Sequence, residues 1–228
     1  MKRKPYPLSA WLLALACALF FISFSVVAVL HFRPLYYFDI KALGVEETSG
    51  LPEEEIRANY DALIDYNSLS WHGCLQFPTL PMSEGGRIHF EEVRTIFVFV
   101  QYLCIVSFLA AAVGGFFRLR KRDGAFLKLA GILTPAIPAI LGVLIACSWD
   151  SFFVMFHKLL FRNDYWLFDP ETDPVITILP DAFFLHCAAA ILLLVLLLCG
   201  ASFLAGTLIS PRRSPQPCSP DFLPHKKG

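Results

Sequence analysis

The apolar residues of this chain are gathered into four long blocks that a water-soluble fold of this length cannot absorb. Residues 11–31, 95–117, 125–147 and 183–209 each reach the roughly 20 apolar positions a helix needs to cross about 30 Å of hydrocarbon. Charged residues keep to the ends of the blocks, and Lys128, at the border of the third, can snorkel toward the headgroups. Of the 228 residues, 56% are hydrophobic and only 17% charged, against about 25% charged in average soluble domains. The pattern predicts an all-α membrane protein with four transmembrane helices. It excludes an ordinary soluble enzyme, a disordered chain and a collagen-like one.

Formal net charge is zero, but the charges are sorted by segment. The N-terminus 1–10, the turn 118–124 with Lys128, and the tail 210–228 hold 12 of the 19 Lys and Arg and two acids, Asp123 and Asp221. The segments 32–94 and 148–182 hold the other 7 basic residues and 17 acids. Basic residues gather on the cytoplasmic side of a membrane. Both termini and the 118–124 turn are therefore expected inside, and the two larger loops outside. The basic start Lys2-Arg3-Lys4 also resembles a signal peptide, with a weak lipoprotein-like cleavage site at Leu15-Ala16-Cys17. The apolar run continues well past Cys17, too far for a typical signal core, so the first block is read as a retained anchor.

The outer segment 32–94 is too long to be a mere connector. Pro52-Glu53-Glu54-Glu55 reads as a helix start, and Ile56, Tyr60, Leu63 and Ile64 recur at helical spacing, which predicts an amphipathic helix over 52–66. Short strands are expected within 32–45 and 167–178. Together the two outer loops should form an extracytoplasmic cap, while the Pro- and Ser-rich tail 210–228 should be disordered. The seven cysteines show no paired spacing and no Cys-x-x-Cys, so they are expected mostly as small core residues.

Six histidines remain to be sorted. His225 falls in the tail, His31 at the exit of the first block and His72 in a loop. His89, His157 and His186 each lie within about ten residues of the outer end of a span, a common membrane depth. His89 and Glu92 are i,i+3 on a helix that starts ahead of the second block, and so share a face. A carboxylate beside an imidazole suits a general base, although a polar helix start facing headgroups has the same residues. His157 sits among Phe153, Phe156 and Phe161, either facing a cavity or on an amphipathic surface helix. Asn163, Asp164, Tyr165 and Trp166 follow, then two Asp-Pro turns, a density that favours a built site over a linker. Tyr165 and Trp166 also fit an interfacial aromatic belt. His186 is read as structural. The chain has no His-Glu-x-x-His and no Gly-x-Ser-x-Gly, and no charge at the middle of any span that would mark an ion pathway.

The run Phe156-His157-Lys158-Leu159-Leu160-Phe161-Arg162-Asn163-Asp164-Tyr165-Trp166-Leu167-Phe168-Asp169-Pro170, continuing through Asp173-Pro174 to Ile178-Leu179-Pro180, resembles the signature of the bacterial lipoprotein intramolecular transacylase (Lit) family. The segment His89, Glu92, Val93, Arg94 is similar to that family's His-x-x-Asp-Val-Lys pattern, with Glu in place of Asp and Arg in place of Lys. The resemblance covers roughly residues 8–209. It implies a four-span protein of the bacterial plasma membrane that acts on diacylglyceryl-modified lipoproteins. The reaction moves the sn-2 acyl chain from glycerol oxygen to the α-amino group of the N-terminal cysteine, leaving a lyso-form lipoprotein. Carried over by motif, the two essential histidines are His89 and His157, with neither metal nor cofactor and no nucleic-acid partner.

The residues fit that chemistry. An α-amine with a pKa of about 8 needs a base near neutrality, and a departing alkoxide needs a proton. Two near-neutral imidazoles serve both needs at one pH. The expectation is that His157, near Asp164, takes the amine proton, that His89, buttressed by Glu92, manages the leaving oxygen, and that Asn163 or Arg94 steadies the oxyanion. The histidine roles are open to reversal. Two other readings compete: a non-enzymatic four-span scaffold with an extracellular partner-binding domain, and a membrane zinc hydrolase using two histidines with Glu92 or Asp164. Oligomeric state is left open, a monomer being the simplest arrangement.

Overall fold

A computed structural model describes residues 6–210, and it builds them from ten helices. In chain order these are α1 (Leu8–His31), α2 (Arg33–Ala42), α3 (Val45–Ser49), α4 (Glu53–Tyr66) and α5 (Glu84–Leu119). Then come α6 (Ala125–Leu133), α7 (Ala136–Cys147), α8 (Trp149–Leu160), α9 (Val175–Ile178) and α10 (Asp181–Ile209). Four stretches are long and apolar enough to cross a membrane: α1, α5, α6 with α7, and α10. The N-terminal lysines, His225, Cys218 and the tail beyond 210 lie outside the described residues.

The spanning helix α1 is the centre of the bundle and packs against α5, α6 and α10. Its small residues Ala10, Ala14 and Cys17 are buried there with Phe21, Phe126, Ala130, Val195 and Cys199. Lipid is no less apolar than these side chains, so close packing, and not exclusion from water, holds such helices together. Gly131 shows how close the packing is: a Cβ there would stand 2.6 Å from the Cys199 carbonyl oxygen of α10. Large apolar side chains point outward, Leu208 being 78% and Phe99 65% exposed. Lipid is the solvent for that surface. Pro135 marks the junction of α6 and α7, where Thr134 ends the first helix and Pro135 caps the second.

The long loops fold together over one end of the bundle. Tyr36, Ile40, Val45, Ile56, Tyr60, Ile64, Ile178 and Phe183 form their shared core, with Tyr36 and Tyr60 stacked at 3.8 Å. The Tyr36 hydroxyl donates to the Ile178 carbonyl at 2.5 Å, tying the two loops to each other. The helix expected over 52–66 is α4, which starts one residue after Pro52 and buries Ile56, Tyr60, Leu63 and Ile64.

The expected strands are absent, and the described residues contain no strand at all. Over 32–45 the chain forms α2 and the start of α3, because Pro34 occupies a first-turn position and Tyr36 and Ile40, four residues apart, are the buried pair. Over 167–178 the Asp-Pro pairs make turns: Asp169 accepts from the Glu171 amide at 3.0 Å, and the chain then enters α9. The cysteines also depart from expectation. All six in the described residues are free, and only Cys17 and Cys199 are buried; Cys74 and Cys147 are exposed.

Candidate active site

The first turns of α5, ahead of its apolar span, carry His89. They are fixed from the other loop. Ser83 caps the helix by accepting the Gly86 amide at 3.0 Å, and its own amide donates to Asp173 at 2.8 Å. Asp173 is buried, so its turn and the α5 start move as one piece.

Ser148 starts α8 immediately after α7, its hydroxyl accepting the Ser151 amide at 3.3 Å. One face of this amphipathic helix is apolar and open, with Leu159 80% exposed. The other face brings His157 to within 6.3 Å of His89, ring centre to ring centre. Residues 68 positions apart in the sequence thus meet at the junction of cap and spans.

Aromatic rings wall the pair in. Phe161 meets His89 edge-on at 4.7 Å and lies 5.8 Å from His157. Phe168 stands 5.4 Å from His89, Phe153 4.1 Å and Trp166 4.8 Å from His157, the indole stacked at 28°. Sequence reasoning named Phe153 and Phe161 as neighbours of His157, but not as walls around His89, and it did not single out Phe168. The signal for them was the same run of Phe around His157, which reads equally well as interfacial packing.

The two imidazoles differ in environment. His157 Nδ1 donates to the Phe153 carbonyl at 2.8 Å. Because a carbonyl only accepts, Nδ1 carries the hydrogen and Nε2 is left with the lone pair in the neutral ring. Burial lowers the His157 pKa, opposed by that hydrogen bond and by the charge of Asp181. His89 is 6% exposed, and burial together with the neighbouring His157 pushes its pKa down to about 4. Its Nδ1 has no hydrogen-bond partner among the described residues. Both rings are therefore neutral near pH 7.

Several supporting residues take other places than expected. Glu92 does not hold His89. It accepts from the Asn163 amide at 2.9 and 3.2 Å, because Asn163, two residues past Phe161, reaches the α5 face one turn further along. Asn163 is thereby occupied. Arg94 is occupied too, donating to the Tyr66, Ser68 and Trp71 carbonyls and lying over the Tyr66 ring. It fastens the end of α4 to α5, three of its five N–H donors going to those carbonyls. Asp164 is exposed, and the acid felt by His157 is Asp181. Tyr165 is half-exposed, its ring against Gly85 of α5. Trp166 is 9% exposed, with its Nε1 unpartnered.

His186 stands apart from the pair, its Nδ1 bonded to buried Asp39 at 2.9 and 3.0 Å. His31 bonds the Val27 carbonyl of its own helix, and His72 is exposed. Among the described residues no group of three or more His, Cys, Asp or Glu is arranged to hold a metal ion.

Four spanning helices under a cap, with a buried imidazole pair at the junction, define an integral membrane enzyme. The family model for lipoprotein intramolecular transacylase Lit matches residues 11–184. A comparison with curated proteins gives no match. Among solved structures, the in meso structure of the membrane-integral transacylase Lit from Bacillus cereus is 40% identical, with a TM-score of 0.87, covering 89% of this chain and 94% of that one. Two variants of the same protein, in which a histidine is exchanged for arginine or for alanine, are 39% and 41% identical with TM-scores of 0.80 and 0.78. Each covers 89% of this chain and 90% of its own. The chain belongs to the lipoprotein intramolecular transacylase (Lit) family, and is a multi-pass membrane acyltransferase.

Proposed function

We propose that the enzyme acts on a lipoprotein whose N-terminal cysteine bears a diacylglyceryl group, and moves the sn-2 acyl chain to the α-amino group of that cysteine. The observation that carries this reading is the His89–His157 pair, 6.3 Å apart among aromatic rings at the boundary of cap and membrane. The ester and amine of such a substrate lie at that depth, with the acyl chains in the leaflet below. The charge bias between the two sides supports a cap that faces outward, with both termini in the cytoplasm.

His157 Nε2, with its lone pair free, takes a proton from the substrate amine. The Phe153 carbonyl holds the opposite N–H and so steadies the imidazolium that forms. The amine nitrogen attacks the ester carbonyl carbon, and the bond from that carbon to the glycerol oxygen breaks. His89, neutral and unencumbered at Nδ1, relays the proton onward to the glycerol oxygen, accepting on one nitrogen and releasing from the other. Nucleophile and electrophile belong to one molecule, so the enzyme mainly folds it into an attack geometry. The rings exclude the water that would otherwise take the acyl group.

The test is an assay of His89→Asn and His157→Asn on a diacylglyceryl lipopeptide, with mass spectrometry locating the transferred chain. Loss of the N-acyl lyso product in both variants is the expected result. Full turnover by either removes that histidine from the mechanism.

A further inference from the structure

The aromatic cluster around the imidazole pair holds a third polar group whose hydrogen-bonding capacity is unused among the described residues. The Trp166 indole is 9% exposed, and its Nε1 has no hydrogen-bond partner among the described residues. Buried N–H groups are nearly always paired, and one left unpaired costs about 1–3 kcal/mol. The indole is also fixed in place. It stacks on His157 at 4.8 Å, and its loop is pinned to α5 through Asn163, which bonds Glu92 with its amide and takes the Tyr165 amide on its oxygen at 3.1 Å. An indole N–H only donates and does not titrate in the working range, so it cannot compete with the imidazoles for the moving proton.

Transacylation creates a need for such a donor. When the amine nitrogen bonds to the ester carbon, the carbonyl π electrons move onto its oxygen, which bears a negative charge until the carbon–glycerol oxygen bond breaks. Of the two side chains that the sequence offered for that charge, Asn163 donates to Glu92, and Arg94 is held by the carbonyls of Tyr66, Ser68 and Trp71 at the end of α4 and the turn beyond it. We propose that Trp166 Nε1–H donates to the ester carbonyl oxygen and stabilises the tetrahedral oxyanion while His157, stacked beneath the same ring, handles the amine proton. The inference rests on the reading of the enzyme as an acyl transferase from ester to amine at this pocket. A pre-positioned donor acts mainly on the transition state, so its loss lowers kcat more than it raises KM.

The experiment uses the full-length enzyme in detergent or lipid and a diacylglyceryl lipopeptide. Trp166→Phe keeps an aromatic ring against His157 and deletes the N–H. Replacing Trp166 with benzothienylalanine exchanges only the N–H for sulfur and preserves ring shape, should Phe prove too small for the fold. In both, kcat is expected to fall about 100-fold or more, with KM within a few-fold and the acid limb of the pH profile unmoved. Wild-type kcat in either folded variant overturns the proposal. So does a loss confined to KM, or a displaced pH profile, since each assigns the ring to packing or to tuning of His157. Wild-type enzyme that yields no N-acyl product instead overturns the transacylation reading itself, and this inference with it.

Discussion

The Asn163 side-chain amide donates to both carboxylate oxygens of Glu92, at 2.9 and 3.2 Å. That contact joins the loop behind α8 to the helix that carries His89, one turn from the imidazole. Together with the Tyr165 ring against Gly85, it holds the Trp166 segment against α5. Asn163→Ala should therefore lower kcat by about 10- to 100-fold, because a displacement of about 1 Å in a positioned site is enough for that. Thermal unfolding should shift little, since Asn163 is only half-buried. Steady-state kinetics alongside a melting curve check both statements. Unchanged kcat would make the contact incidental.

Acid should silence the enzyme before it unfolds it. The substrate amine, with a pKa of about 8, protonates first, so kcat/KM should fall as pH drops below that value. The fall should steepen in more acid solution as His157 and then His89, at about 4, take up protons. For stability the sign is the same. His89 titrates near 6.5 when unfolded and near 4 when folded, so below 6.5 the unfolded chain binds more protons. The stability it contributes is complete above pH 6.5 and lost as pH falls toward 4, by up to about 1.4 kcal/mol per pH unit. A pH series of melting curves on wild type and His89→Asn should show this dependence flattened in the variant.

Arg94 is a fastener, and its substitution should act on stability. It donates to three carbonyls at the end of α4 and the turn beyond it, bonds to a charged group that are worth about 1.5–3 kcal/mol each. Arg94→Ala should lower the melting temperature by several degrees. Arg94→Lys should recover only part of the loss, because an ammonium cannot reproduce the planar fork. Equal melting temperatures for all three proteins would contradict the assignment.

What the sequence disclosed and what it withheld divide along physical lines. The four blocks are legible because a bilayer demands about 20 apolar residues in a row, and α4 because Ile56, Tyr60 and Leu63 repeat at helical spacing. The two histidines stood out by depth and by the odd run around His157. Their partners did not, since a carboxylate i+3 from an imidazole pairs with it only if nothing better arrives. Asn163, 71 positions away, captures Glu92. Arg94 likewise turns toward the carbonyls of another segment, and Asp181, not Asp164, is the acid that His157 feels. Those outcomes depend on how loops cross over the bundle, which periodicity does not encode. The helix α2, expected as a strand, is simpler: Tyr36 and Ile40 stand at i,i+4 and are its buried pair, a spacing the sequence carries.

His186 and Asp39 tie the cap to the fourth span. Asp39 is 1% exposed and bonds His186 Nδ1 with both oxygens. Removing the imidazole strands a buried carboxylate, which costs about 3–5 kcal/mol where the charge persists. His186→Leu should therefore destabilise strongly, and adding Asp39→Leu should recover much of the loss by deleting the orphaned charge. The double variant should retain the wild-type KM for the lipopeptide, because neither residue touches the imidazole pair. A double variant no more stable than His186→Leu would refute the pairing.

The contact of α6 with α10 sets the spacing of the bundle beneath the site, and Gly131 tests it. A single methyl group there would fall 2.6 Å from the Cys199 carbonyl oxygen, 2.7 Å from Phe203 Cβ and 2.8 Å from the Phe203 amide nitrogen. All of these belong to backbone or to the first side-chain atom, so no rotamer change relieves them and the helices must separate. Overpacking of this kind costs about 1–3 kcal/mol, and small residues are what allow membrane helices this approach. Gly131→Ala should lower the melting temperature in detergent, whereas Gly200→Ala on α10, where nothing lies within 4 Å of the added methyl, should leave it unchanged or raise it slightly by improving helix propensity. Equal losses at the two positions would mean that helix propensity, and not the fit of α6 against α10, decides the outcome.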